Sequence, residues 1–252
     1  MTTWYSHSLF QIMFTQSEFD IRLEWGEHGV NLLAPVSDVV IIVDVLSFTT
    51  SVEIATHRRA TVFPFDAEIM GVTPTEFAGS VEAQVAGKER KARFSLSPVA
   101  LSKIPEGTRL VLPSPNGSRL SLRTGRTPTL AGCLRNAEAV AKAAQRYGRR
   151  ITLIPAGERW PDDSLRPSLE DWIGAGAIIH HLGGNTSPEA RAAASVFDSV
   201  YNHLEDTLVQ CGSGKELVEQ GFQEDVRLAS VLNLSDCVPV LTGGAFIAQR
   251  GA

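Results

Sequence analysis

Residues 38–44, DVVIIVD, form an almost unbroken β-branched run closed at each end by an aspartate. Such a run suits a strand buried on both faces, in a sheet that helices cover from either side. The pattern then repeats. Ser47, Thr49 and Thr50 follow as candidate caps for a helix written SVEIATHRR. Arg109–Pro113 (RLVLP) leads into the loop SPNGSR and a short helix, and TLAGCL is followed by Asn136, an N-cap for AEAVAKAAQRYG. Arg150–Pro155 (RITLIP) opens into a polar loop from Ala156 to Pro167. Ser168-Leu169-Glu170-Asp171 then has the S-x-x-D form of a capping box before the apolar helix DWIGAGAIIHHL. Strands alternating with helices predict an α/β fold, three layers α/β/α around a largely parallel or mixed sheet, with a helical C-terminal third and a short closing strand, CVPVL.

The length, 252 residues, is near the ceiling of about 250–300 residues for a single core, and the chain is read as one domain over 1–252. The best place for a subdomain break is Leu182–Pro188 (LGGNTSP), read as a loop because the helices beyond it bring too little sheet for a core of their own. A net charge of −5 argues against generic nucleic-acid binding. The charge is nevertheless uneven: residues 88–126 carry +7 and the remainder −12. Only Phe94 offers an aromatic face within that basic segment, which counts against an RNA surface built on stacking. Cys133, Cys211 and Cys237 are far apart with no CxxC pair, so neither a disulfide framework nor a structural zinc site is expected. No apolar run reaches about 18 residues, and the first twenty residues lack the basic start and apolar block of a signal peptide, so a cytoplasmic protein without membrane association is expected.

In a parallel α/β sheet, ligands gather beyond the carboxyl ends of the strands, where helix N-termini favour anions. The first such end here carries Asp44, Ser47, Thr49 and Thr50, and the second Ser114, Asn116, Gly117, Ser118 and Arg119. The third adds Cys133, Arg135 and Asn136; the fourth adds Glu158, Asp162, Asp163, Ser168, Glu170 and Asp171. Carboxylates, hydroxyls and amides on one rim can hold a hard cation beside an anionic group. Each residue also has a plainer reading: Asp44 bracing its own turn, Asn116-Gly117 as a tight turn, Glu158 as a solvated loop acid. Several motifs are missing. Gly212-Ser213-Gly214-Lys215 lacks the spacing of a P-loop, Gly174-Ala175-Gly176 sits inside a helix, and no GxSxG or HExxH occurs. Adjacent His180 and His181 cannot share a helix face as ligands.

Taken in order, these segments resemble one family. Val43–Thr50 (VDVLSFTT) is similar to the DVLRATT segment of the 2-phosphosulfolactate phosphatases (ComB-like proteins), and Pro113–Arg119 (PSPNGSR) to their TTTNGTRA loop. Ala131–Ala137 (AGCLRNA) resembles GSFLNA, Ile154–Glu158 (IPAGE) their CAG turn, and Ser168–Asp171 their SLED. Gly221-Phe222, Asp225-Val226 and Val238-Pro239 are similar too. The resemblance implies a Mg²⁺-dependent phosphatase acting on a small phosphorylated acid, a phosphoric monoester hydrolase with an α/β/α fold. On that model Asp44, Glu158 and Glu170 hold Mg²⁺, while Asp44, Glu158 and Asp171 form the catalytic acids. Ser47, Thr49, Thr50, Asn116, Gly117, Arg119 and Asn136 bind the substrate. Two departures stand out. Ser47 replaces the family's arginine, and Phe94–Pro98 (FSLSP) stands where the family has GNSP. The expected substrate is therefore a small phosphorylated acid of the 2-phosphosulfolactate kind, with a different phosphorylated acid or other small phosphoester fitting as well, and a catalytically silent, anion-binding regulator or scaffold is the alternative. A homodimer is the default assembly for such an enzyme.

Overall fold

The computed structural model describes residues 14–249; residues 1–13, where much of the leader reading rests, lie outside the described residues. The strands are β1 (Ile21–Leu23), β2 (Val39–Val43), β3 (Thr61–Phe65), β4 (Gln84–Val85), β5 (Arg109–Pro113), β6 (Thr129–Gly132), β7 (Ile151–Pro155), β8 (Glu158–Arg159), β9 (Leu165–Arg166), β10 (Val238–Thr242) and β11 (Ala245–Gln249). The α-helices are α1 (Gly26–Leu33), α2 (Phe48–His57), α3 (Ala67–Met70), α4 (Pro74–Ser80), α5 (Pro98–Leu101), α6 (Gly117–Arg123), α7 (Ala137–Ala144), α8 (Leu169–His180), α9 (Pro188–Val200), α10 (Leu204–Gln210), α11 (Gly212–Glu219) and α12 (Gln223–Ser230). Nine strands form one mixed sheet in the order β1-β7-β2-β6-β10-β11-β3-β5-β4, and β8 and β9 form a separate antiparallel pair. None of the described helices is long and apolar enough to cross a membrane.

The expectation for β2 holds in detail, because its side chains divide between two faces. Val39, Ile41 and Val43 join Ile173 and Ile178 of α8 and Phe197 of α9 in one cluster. Val40 and Ile42 pack with Val30 of α1 and Leu120 of α6 in another. All five residues of β2 are fully buried. Burying an aliphatic side chain contributes roughly 1.5–3 kcal/mol, so this strand anchors the molecule. The helices after residue 187 belong to the same core, since Phe197, Leu204, Leu208 and Val226 share the cluster of Val39 and Ile41. Helices α8 and α9 pack so closely that a Cβ on Gly176 would collide with the Ala193 carbonyl oxygen. Gly176→Ala therefore destabilises the chain by on the order of 3 kcal/mol. Urea unfolding measures it, and an unchanged midpoint would contradict this packing.

Two parallel blocks make up the sheet. One is β1-β7-β2-β6 and the other β3-β5-β4. The antiparallel hairpin β10–β11 stands between them and bridges to each through a single residue pair, Val240↔Leu130 and Phe246↔Val62. Its turn is Gly243-Gly244, with φ of 59° and 84°, a two-residue hairpin loop that needs positive φ at both positions. The carboxyl ends of β2 and β5 meet across the two blocks: the Gly117 N–H, just after β5, donates to Asp44 Oδ2, just after β2, at 2.8 Å.

The short strands β1, β3, β4 and β11 were not foreseen from the sequence. Pro64 interrupts the run of β3, and the Gly-Gly turn signal before β11 was available but unread. The S-x-x-D capping box does not form. Ser168 is the N-cap residue of α8, but its hydroxyl is buried without a partner. Asp171 instead takes two N–H donors from strand ends, Val45 and Gly157, in place of one local donor.

Candidate active site at the converging strand ends

Four acids collect where the strand ends meet. Asp44 Oδ1 accepts from the Phe48 N–H, the first residue of α2, at 3.1 Å, and Oδ2 accepts from Gly117 at the start of α6. One carboxylate thus caps two helices and fastens the two sheet blocks together. The fit is tight, since a Cβ on Gly117 would lie 2.7 Å from Asp44 Oδ2. Asp171 accepts from Val45 at 2.7 Å and from Gly157 at 2.9 Å, locking the ends of β2 and β7 onto α8. Glu170, also buried, meets the Cys211 thiol, which donates to Oε2 at 3.3 Å. Glu158 in β8 is half-buried and accepts from Asn116 Nδ2 at 2.9 Å.

The surroundings push protons onto Asp44, Glu158 and Asp171. Burial lifts the Asp44 carboxyl to about 6 from its ordinary 3.8; the two N–H donors pull it down, and the charge of Glu170 adds to the rise. Burial and the charge of Asp44 raise Glu158 to about 7, against the Asn116 hydrogen bond. Asp171 is raised well above the usual carboxylate range, first by burial and then by the charges of Asp44 and Glu170. The acids are therefore close enough to repel one another. A cavity of about 400 Å³ opens beside them, walled by Asn116 and Glu158 together with Trp25, His28, Arg159 and Leu165. That volume lies within the usual small-molecule range of roughly 300–1,000 Å³. Asp44, Glu170 and Asp171 are not among its walls.

Other residues expected at the rim are placed differently. The Thr49 hydroxyl donates to the Asp44 carbonyl at 2.8 Å and that of Thr50 to the Val45 carbonyl at 2.7 Å, and both residues are fully buried. They brace the strand end, and in this geometry neither hydroxyl is available as a phosphate donor. Asn136 is likewise saturated: it accepts from Cys133 N–H and donates to the carbonyls of Ala131 and Cys237. Its amide ties the end of β6 to the approach of β10. Arg119 is held by Asp66 at 2.8 Å and by Glu68, and it lines the same cavity as Asn116 and Glu158. Three of the nine cations of the basic segment form ion pairs among the described residues, Arg90 with Asp225, Arg119 with Asp66 and Arg123 with Glu27. His180 bonds Asp198 and His181 bonds Asn233, as packing residues do. All three cysteines are free and buried, with thiols pushed up to about 12 mainly by burial.

Two cations near the acids went unforeseen. Arg166 in β9 lies opposite Glu158 in register, donates to Ser213 Oγ at 3.3 Å, and its charge opposes the rise of the Glu158 pKa. Arg90 donates through Nη2 to Ser47 Oγ at 2.5 Å and through Nε to Asp225 Oδ2 at 2.7 Å. Sequence spacing gives no sign of either contact: Arg90 arrives from a segment outside the rim loops, and Arg166 lies late in a long polar loop with nothing to show which side chains it meets. Their nearest signal is the uncompensated charge of residues 88–126 for Arg90, and the polar loop before Pro167 for Arg166.

Comparison with known proteins identifies the family. Residues 31–244 match the family model described as 2-phosphosulpholactate phosphatase. A 2-phosphosulfolactate phosphatase of Methanothermobacter thermautotrophicus is 28% identical over 208 residues, covering 82% of this chain and 88% of that protein. A probable 2-phosphosulfolactate phosphatase of Thermotoga maritima is 29% identical over 236 residues, 87% of this chain and 97% of that protein. Another from Gloeobacter violaceus is 27% identical over 220 residues, 84% and 92% respectively. With most of its length covered in each case, the chain belongs to the 2-phosphosulfolactate phosphatase family of phosphoric monoester hydrolases.

Proposed function

We propose that the protein is a Mg²⁺-dependent phosphatase that hydrolyses a small phosphorylated acid. The observation that carries this reading is the gathering of Asp44, Glu158, Glu170 and Asp171 beside a small cavity, where burial and neighbouring carboxylate charge raise the pKa values of Asp44, Glu158 and Asp171. Oxygen is the only donor atom these four side chains offer, which suits a hard cation, and mutual repulsion among them is what a divalent ion relieves. Among the described residues, no three His, Cys, Asp or Glu converge at ligand spacing. Mg²⁺ is compatible with that, because it takes one or two carboxylates and keeps several waters. Asp44 and Glu170, with Glu158, are the residues that would hold it, one or two of them directly and the rest through the ion's waters. When bound, the ion would offset phosphate charge and favour in-line attack by water.

The chain's own groups supply the rest. Attack by water forms a new P–O bond as the ester P–O bond breaks, and the departing alkoxide must gain the proton that the water loses. Glu158, with a pKa of about 7 and a place on the cavity wall, is suited to take the proton from water and return it to the alcohol. Asn116 holds its carboxylate in position. Asp171 has both oxygens on backbone donors and acts as the frame that keeps the strand ends together.

The test is phosphate release by chelator-stripped protein from a panel of phosphorylated small acids, phosphosulfolactate and phospholactate included, with and without Mg²⁺. Metal-dependent release from one of them is expected. Silence across the panel would favour the alternative, an anion-binding protein without turnover, for which Ser47 in place of the family's arginine is the supporting feature.

A further inference from the structure

Arg90 is an arginine built into a fixed position with part of its guanidinium left over. Its Nε edge is held by Asp225, whose side chain is 1% exposed. Asp225 is itself fixed by the Ser97 hydroxyl at 2.7 Å and the Val99 N–H at 3.0 Å. The Phe222 ring lies 5.5 Å from the guanidinium carbon. The Nη2 group reaches Ser47, three residues after Asp44. Among the described residues Nη1 has no hydrogen-bond partner, yet it is not among the atoms sealed from solvent. The guanidinium is also near enough for its charge to act on the Asp44 carboxyl. A longer side chain at position 47 would extend from the Oγ position that Nη2 now meets. Serine there leaves room for a guanidinium delivered from residues 87–94.

We infer that Arg90 binds an oxyanion of the substrate beside Asp44, in the place where position 47 itself offers only a hydroxyl. A planar fork pinned along one edge by a buried carboxylate presents its remaining N–H groups to a phosphate or carboxylate with little rotamer freedom to lose. The inference rests on the phosphatase reading for the identity of the site, but orthophosphate binding tests it without turnover.

The experiment is isothermal titration of the full chain with inorganic phosphate, with and without Mg²⁺, for the wild type, Arg90→Lys, Arg90→Gln and the double variant Arg90→Gln/Asp225→Asn. The double variant avoids leaving the Asp225 carboxylate buried without its cation, and circular dichroism melting checks that each protein is folded. The wild type is expected to bind phosphate. Both glutamine variants should weaken binding by about tenfold or more, the loss expected of a charge-assisted hydrogen bond, and lysine should restore part of it. Where turnover is measurable, KM should rise by a similar factor with kcat little changed. A folded double variant with unchanged phosphate affinity would overturn the inference, as would a wild type that binds no phosphate. Phosphate binding that depends on Arg90 without any phosphatase activity would leave the inference standing and remove the phosphatase reading instead.

Discussion

Alanine at Asp44 is expected to lower Mg²⁺-dependent turnover by roughly 10²–10³-fold, the scale on which removal of a preorganised electrostatic group acts. The carboxylate has two parts here. It accepts the first N–H groups of α2 and α6, and it brings negative charge to a cluster that already holds Glu170 and Asp171. Alanine removes both parts and leaves two buried donors unsatisfied, at about 1–3 kcal/mol each. Asparagine separates the parts. It keeps one acceptor for a backbone N–H, loses the charge, and sets its amide against the other donor. Kinetics on both variants, with melting curves and Mg²⁺ titration alongside, distinguish the two. Wild-type turnover and metal dependence in folded Asp44→Ala would remove Asp44 from the site.

The metal-free protein should lose stability as pH rises from about 4.5 to 7, and Glu158→Gln should flatten that fall. Glu158 has a folded pKa of about 7 against an ordinary 4.5, so within this window the folded chain holds a proton that the unfolded chain has released. Stability then declines with pH, because the state binding more protons is favoured at the acid end. Asp44, raised to about 6, acts in the same direction. His181, whose pKa burial lowers, acts in the opposite one, so the comparison with Glu158→Gln is the informative quantity. For Glu158 the difference should be on the order of 1–2 kcal/mol, reduced from the full shift by its partial exposure. Urea unfolding at a series of pH values measures it. Parallel curves for the two proteins would mean that Glu158 is not held in a proton-favouring site.

The strands that sequence reasoning found are those whose burial shows in composition: the β-branched run of β2, and the apolar β5, β6 and β7. Strand β3 has a proline at its fourth position, and β1 is three residues long, so neither reaches the length or purity on which such reasoning depends. The acids of the site were legible because strand ends in an α/β sheet mark where ligands gather. Which polar side chains face a ligand was not legible. Thr49, Thr50 and Asn136 have the chemistry of substrate donors, yet they hydrogen-bond backbone within a few residues or across to β10, and only three-dimensional geometry shows that. Arg90 was hidden for the complementary reason. Its partners, Ser47 and Asp225, lie 43 and 135 residues away.

The hairpin β10–β11 bears on the order in which this protein can assemble. Seven parallel strands are translated before Val238, yet the two blocks they form share no ladder except through the hairpin. A nascent chain stopped short of that point would hold β6 and β3 as open edges, each able to pair with a neighbouring chain. Joining the blocks also requires contacts of long sequence separation, such as Phe246 with Val62, which form slowly. The hairpin leaves the ribosome after the seven strands it joins, and aggregation competes with folding until it arrives.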